Sequence, residues 1–168
     1  MTWRGSTTTW DRVFACLVYL LPLIYAYPYA QQALLPQIPP ALQVIFLPLA
    51  IVASLYYTII GPIPFGSLIL LIVLLAAVVR NERIRHFVRF NTMQAILVGI
   101  ALSIFSLLWD LLLTVIPGLS GVGILTLTIF NVLFLGTLAI AVYAIVQSAR
   151  GRYAEIPPLS DAVYMQVR

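Results

Sequence analysis

Residues 95–116 read AILVGIALSIFSLLWDLLLTVI and follow directly on RNERIRHFVRFNTMQ at 80–94. The first stretch holds a single charge, Asp110, and the second holds five. A helix over 95–116 is ~33 Å long at 1.5 Å per residue, enough to cross a hydrocarbon core of ~30 Å. A charged segment abutting an apolar run of that length is the edge of a membrane span.

The same pattern repeats outward. Five apolar runs occupy 13–30, 41–60, 65–79, 95–116 and 124–146, separated mostly by Pro and Gly. No run alternates with a period of two, so the class is all-α. The whole chain of 168 residues agrees: 62% is hydrophobic and 8% charged, with a mean hydropathy of +1.06. Soluble domains carry roughly 25% charged residues, so this chain cannot clothe a soluble surface. A single membrane domain over 1–168 is expected.

Arginine placement sets the topology. All nine basic residues are Arg, and the net charge is +4. They fall before the first run (Arg4, Arg12), between the third and fourth (Arg80, Arg83, Arg85, Arg89) and after the fifth (Arg150, Arg152, Arg168). Five crossings would put the first group opposite the other two. If only two of the first three runs cross, every Arg lies on one side, as the positive-inside rule requires. The expectation is a four-helix transmembrane bundle with spans near 13–30, 63–80, 95–116 and 124–147. Both termini then face the cytoplasm or stroma. Run 41–60, which contains Pro48 and follows Pro36, Pro39 and Pro40, is expected to be a re-entrant or interfacial helix, not a span. Tyr25, Tyr27 and Tyr29 are expected to form an aromatic belt on the uncharged side. Pro22 and Pro28 interrupt the first run and no small-x-small site follows it, so an uncleaved span is expected, and no transit peptide.

Composition also removes reagents. One Cys (Cys16), one His (His86) and no Lys leave no disulfide, thiolate cluster, multi-His site or Schiff-base lysine. Neither catalysis nor a metal or cofactor is expected, and clustered arginines between apolar runs do not make a nucleic-acid face. Gly118, Gly121 and Gly123 follow no strand and read as a hairpin between helices.

Candidate working residues lie on the last two helices. Asn91, Ala95, Gly99, Ser103, Ser106, Asp110 and Thr114 recur every three or four positions, within an arc of ~140° on one helix face. Leu97, Ile104, Leu108 and Leu111 face the other way. A matching stripe on the next helix has Thr126, Thr137, Ala141, Ala144 and Ser148, with Asn131 nearby. Small and hydroxylated residues suit close helix packing; an intramembrane acid such as Asp110 suits a water-filled cavity or the interface. Both readings stand at this point. Arg80, Arg83, Arg85, Arg89, Arg150 and Arg152 are candidates for contact with anionic lipid headgroups or a protein partner.

Residues 79–97, VRNERIRHFVRFNTMQAIL, resemble the signature of the twenty-kilodalton Tic family, the central membrane subunit of the translocon at the chloroplast inner envelope, and its cyanobacterial relatives. Blocks 2–23, 64–66 and 131–164 (with QSARGRYAEIP at 147–157) agree, so nearly the whole chain is covered. The resemblance implies four membrane helices, both ends cytosolic or stromal, no enzymatic activity, and a role in moving precursor polypeptides within a larger complex. It implies a cyanobacterial or plastid-encoded member, in a cyanobacterial membrane or the plastid inner envelope. Implied partners are other membrane subunits or further copies of the chain, and precursor polypeptide. Members often carry an acid where this chain has Gly99; here the acid is Asp110, three turns on. Two other functions fit the spans: a small-solute channel or carrier, and a non-conducting scaffold for membrane complexes.

Overall fold

A computed structural model describes residues 7–116, 123–157 and 159–167. Among them the regular structure is helical, and four helices are long and apolar enough to cross a membrane. These are α1 (Thr9–Gln37), α2 (Pro40–Ile60), α4 (His86–Val115) and α5 (Ile124–Ala149). A shorter apolar helix, α3 (Gly66–Val79), and a C-terminal helix, α6 (Leu159–Gln166), complete the set. The protein is an all-α membrane protein. Gly118 and Gly121 of the expected hairpin lie outside the described residues.

Helix α1 starts on a capping box. The Thr8 N–H donates to Asp11 Oδ2 at 2.7 Å and the Asp11 N–H to Thr8 Oγ1 at 3.3 Å. Pro22 has no N–H to offer Val18, so the Val18 carbonyl accepts from Leu21 instead and the α-helical ladder is interrupted there. A widened turn over Ala30–Leu34 follows Pro28. The helix is central. It lies between α4 and α5 and packs on both, while those two touch each other far less. This corrects the expected aromatic belt: Tyr27 and Tyr29 are buried and Tyr25 is half-buried. The part of α1 that carries these tyrosines is flanked by α2, α4 and α5, which leaves their rings no access to headgroups.

Helix α2 runs back along the second half of α1. Gln43 Nε2 donates to the Leu35 carbonyl (2.9 Å), and Tyr57 Oη to the Ile24 carbonyl (3.2 Å). Tyr57 therefore sits at the depth of the middle of α1. The chain then breaks over 61–65. Phe65 takes a left-handed conformation (φ 56°) just before α3, and a Cβ on Gly66 would strike the Ile60 carbonyl. Tyr56 Oη donates to Ser67 Oγ at 3.0 Å, which starts α3 at the level where α2 stopped. Arg89 Nε donates to the Val79 carbonyl at 2.7 Å, which ends α3 beside the start of α4. With 14 residues α3 spans ~21 Å, and α2 and α3 in succession run the length of α1.

The arginine-rich segments converge on one end of the bundle. Arg85 Nη1 pairs with Asp11 Oδ2 at 2.9 Å. The His86 ring lies 3.0 Å from Tyr153 Oη and 3.3 Å from the Val167 carbonyl. Phe90 is buried between the rings of Tyr153 and Tyr164. Both ends of the described chain are therefore at the same end of the bundle. Gly151 secures this junction with φ +71°, and a Cβ there would stand 2.7 Å from Thr7 Oγ1 and 3.1 Å from Arg12 Nε. Gly151→Val should lower stability by about 1–3 kcal/mol, read as a drop in the thermal midpoint in detergent; an unchanged midpoint would contradict this packing.

Candidate functional site

The polar stripe of α4 divides into two parts. Its first part is consumed in packing. Tyr19 Oη donates to Gln94 Oε1 at 2.7 Å and lies 3.0 Å from Asn91 Oδ1. Ser148 Oγ donates to Asn91 Oδ1 (3.0 Å), Asn91 Nδ2 to the Phe87 carbonyl (2.8 Å), and Gln94 Nε2 to the Ala154 carbonyl (3.0 Å). Tyr19, Asn91, Gln94 and Ser148 are fully buried. This network ties α1, α4, α5 and the segment after α5 together at the arginine end. Ala95 packs with Tyr19, Leu23, Ala141 and Ala144. At Gly99 the Tyr25 ring approaches so closely that a Cβ would be 3.2 Å from it. Thr137 is buried as well.

Beyond Gly99 the stripe faces open space. Ser103, Ser106 and Asp110 line a cavity of about 350 Å³ with Tyr25, Pro28, Tyr29 and Gln32 of α1, Tyr57 of α2, Ser67 of α3, and Thr126 of α5. A wedge of rings holds α4 and α5 apart there. Phe130 lies 5.0 Å from Tyr29 and 5.6 Å from Trp109, and Trp109 stacks on Phe105 at 5.8 Å. Ile104, Leu108 and Leu111 are exposed on the opposite side of α4, the lipid side.

The lining can exchange hydrogen bonds with an occupant. Ser103 Oγ donates to the Gly99 carbonyl at 2.9 Å, which leaves its oxygen as an acceptor. Asp110 makes no salt bridge among the described residues. Trp109 is buried, and its Nε1–H has no acceptor although the residue lines the cavity; Asn131 Oδ1 is likewise buried and unpartnered. Thr114 is exposed, with its hydroxyl donating to the Asp110 carbonyl. No catalytic arrangement is assembled by these contacts; they make a polar, aromatic-walled recess inside an apolar bundle.

The arginine candidates separate too. Arg85 and Arg89 are engaged within the chain, as described above, whereas Arg80, Arg83, Arg150 and Arg152 are exposed. Sequence reasoning missed Tyr25, Tyr29, Gln32, Tyr57 and Ser67 as cavity residues. The available signal was Tyr and Gln recurring inside apolar runs, which has an equally good interfacial explanation.

Comparison with known proteins follows the same segments. The family model described as "Chloroplast import apparatus Tic20-like" matches residues 4–163. A Tic20 family protein of Synechocystis sp. is 49% identical over 94% of this chain and 93% of its own length. The Tic20 family protein Ycf60 of Porphyra purpurea is 28% identical over 99% of this chain and 80% of its own. Protein TIC 20-II, chloroplastic, of Arabidopsis thaliana is 30% identical over 99% of this chain and 78% of its own.

The two parts of the stripe should respond differently to mutation. Gln94→Leu leaves the buried Ala154 carbonyl without its donor and should cost about 1–3 kcal/mol. Ser103→Ala should stay within about 0.5 kcal/mol. Thermal denaturation of both variants in detergent checks this; equal losses would contradict the division.

Proposed function

The chain belongs to the Tic20 family, and on that premise we propose that it is a membrane subunit of a protein-translocation machinery whose cavity forms one wall of the path for a precursor polypeptide. The observation that carries the reading is the recess of Ser103, Ser106, Asp110, Gln32 and Thr126, open to the outside, whose polar groups are not consumed in helix packing as those of the arginine end are. An extended polypeptide presents backbone N–H and C=O groups that need partners inside a membrane. Hydroxyls, an amide and a carboxylate supply them.

The recess does not continue as a pore through one chain, because the Tyr19–Asn91–Gln94–Ser148 network fills the arginine end. A complete path therefore needs a second wall, from another membrane subunit or a further copy of this chain. The membrane is a cyanobacterial membrane or the plastid inner envelope, with both termini and all arginine clusters on the cytoplasmic or stromal side. Helices α2 and α3 make the second of four crossings in two pieces, with the break at 61–65 beside the cavity mouth formed by Tyr57 and Ser67. The exposed Arg80, Arg83, Arg150 and Arg152 meet anionic lipid or partner subunits. No chemical step is assigned to the protein.

A scaffold role predicts a different pattern of neighbours, and site-specific photo-crosslinking separates the two. Probes at Ser103, Asp110 and lipid-facing Leu108 are placed in membranes carrying a stalled precursor. Precursor adducts at positions 103 and 110 but not 108 are expected. Adducts only to a membrane subunit, with none to precursor, would replace the path by a packing surface.

A further inference from the structure

A second groove, of about 490 Å³, lies on the outside of the bundle between α1 and α5 and takes no part in the cavity described above. Its walls are Val13, Cys16, Leu17 and Leu20 of α1 with Ile145 and Ala149 of α5, and its outer end holds Thr9 and Arg12. The walls are apolar. Val13 and Leu17 are exposed, and Cys16 turns its thiol inward, donating to the Ile145 carbonyl at 3.6 Å. From Thr9 to Leu20 the groove follows α1 for ~17 Å. One leaflet of hydrocarbon is ~15 Å thick, half of the ~30 Å core. The groove therefore has the length of one acyl chain, starting at the charged end of the bundle.

Arg12 supplies the polar end. It is half-buried, and its Nε donates to Thr7 Oγ1 at 3.2 Å. Among the described residues no carboxylate pairs with it. The neighbouring acid, Asp11, is engaged by Arg85 and by Thr8. Arg12 also sits in the first turn of α1, where the helix dipole disfavours a cation, so an anion there relieves an unfavourable charge. The remaining guanidinium N–H groups match two oxygens of a phosphate. Arg150 and Arg152 flank Gly151, which packs against Arg12, and both are exposed, adding positive potential around the same point. Arg80 and Arg83, by contrast, have no groove beneath them among the cavities described.

We propose that this groove binds one anionic glycerophospholipid, with its phosphate on Arg12 and one acyl chain between α1 and α5. The site is separate from the polypeptide path. It would set a resident lipid against the junction where Gly151 packs on Arg12.

Native mass spectrometry of the full chain tests it. The protein in detergent is offered phosphatidylglycerol or phosphatidylcholine with identical acyl chains. Wild type should retain one phosphatidylglycerol under activation that strips phosphatidylcholine. Arg12→Gln should lower the retained fraction by about tenfold, as expected for loss of a charge-assisted hydrogen bond. Ile145→Trp, which fills the groove without touching the charge, should do the same, and Arg83→Gln should not. Circular dichroism confirms that each variant is folded; if Arg12→Gln does not fold, Ile145→Trp carries the test. Equal retention of the two lipids, undiminished retention in Ile145→Trp, or displacement of the lipid by excess glycerol phosphate alone would overturn the proposal.

Discussion

The hydroxyl of Tyr19, held between Asn91 and Gln94, is the constraint on which the other arrangements depend. Four polar side chains are fully buried there, in surroundings where an unmet donor or acceptor is costly. Each finds a partner. Because the partners come from α1, α4, α5 and the segment after α5, meeting them fixes the depth of three helices relative to one another. A slide of one helical residue would strand several groups at once. Hydrophobic packing in lipid offers little such discrimination, since the tails compete for the same contacts. The Arg85–Asp11 pair and the ring cluster around Phe90 then close the same end.

Anchoring one end leaves the other free to open. Beyond Gly99 no comparable network joins α4 to α5 among the described residues. The rings of Tyr29, Phe130 and Trp109 wedge them apart instead. Tyr57 and Ser67, on either side of the chain break, face the same space. The result is a bundle tight at its arginine end and recessed at its uncharged end. For the proposed polypeptide path, the packed half fixes the helices relative to one another and the polar half offers hydrogen-bond partners.

Much of this was legible in the sequence. Long apolar runs without period-two alternation gave the all-α membrane class, and the helical spacing of Ser106 and Asp110 against Leu108 separated two faces of α4. Helical period, however, reports which side a residue is on and not how deep it lies or what it meets. Asn91 and Asp110 share a face, yet one is locked in a network and the other lines a recess. The tyrosines of α1 have the composition of an interfacial belt, and only the central position of that helix makes them core. The stretch 41–60 was equally ambiguous. Its prolines suggested a helix that does not cross, and its hydrogen bonds to Ile24 and Leu35 reveal how far along α1 it travels. Asn91 and Gln94 lie within the segment 79–97 that carries the family resemblance, and they join Tyr19 and Ser148 in the network.

The face of α4 changes character at Gly99, from packed against α1 and α5 to lining an open polar recess. A scan of spin labels along positions 95–114, in Cys16→Ser protein in lipid bilayers, tests it most directly. Labels at 103, 106 and 110 should be relaxed by a water-soluble nickel reagent, labels at 104, 108 and 111 by oxygen, and a label at 95 by neither. Oxygen dominance at 103, 106 and 110 would mean that the recess is filled by lipid and would contradict a polar opening beyond Gly99.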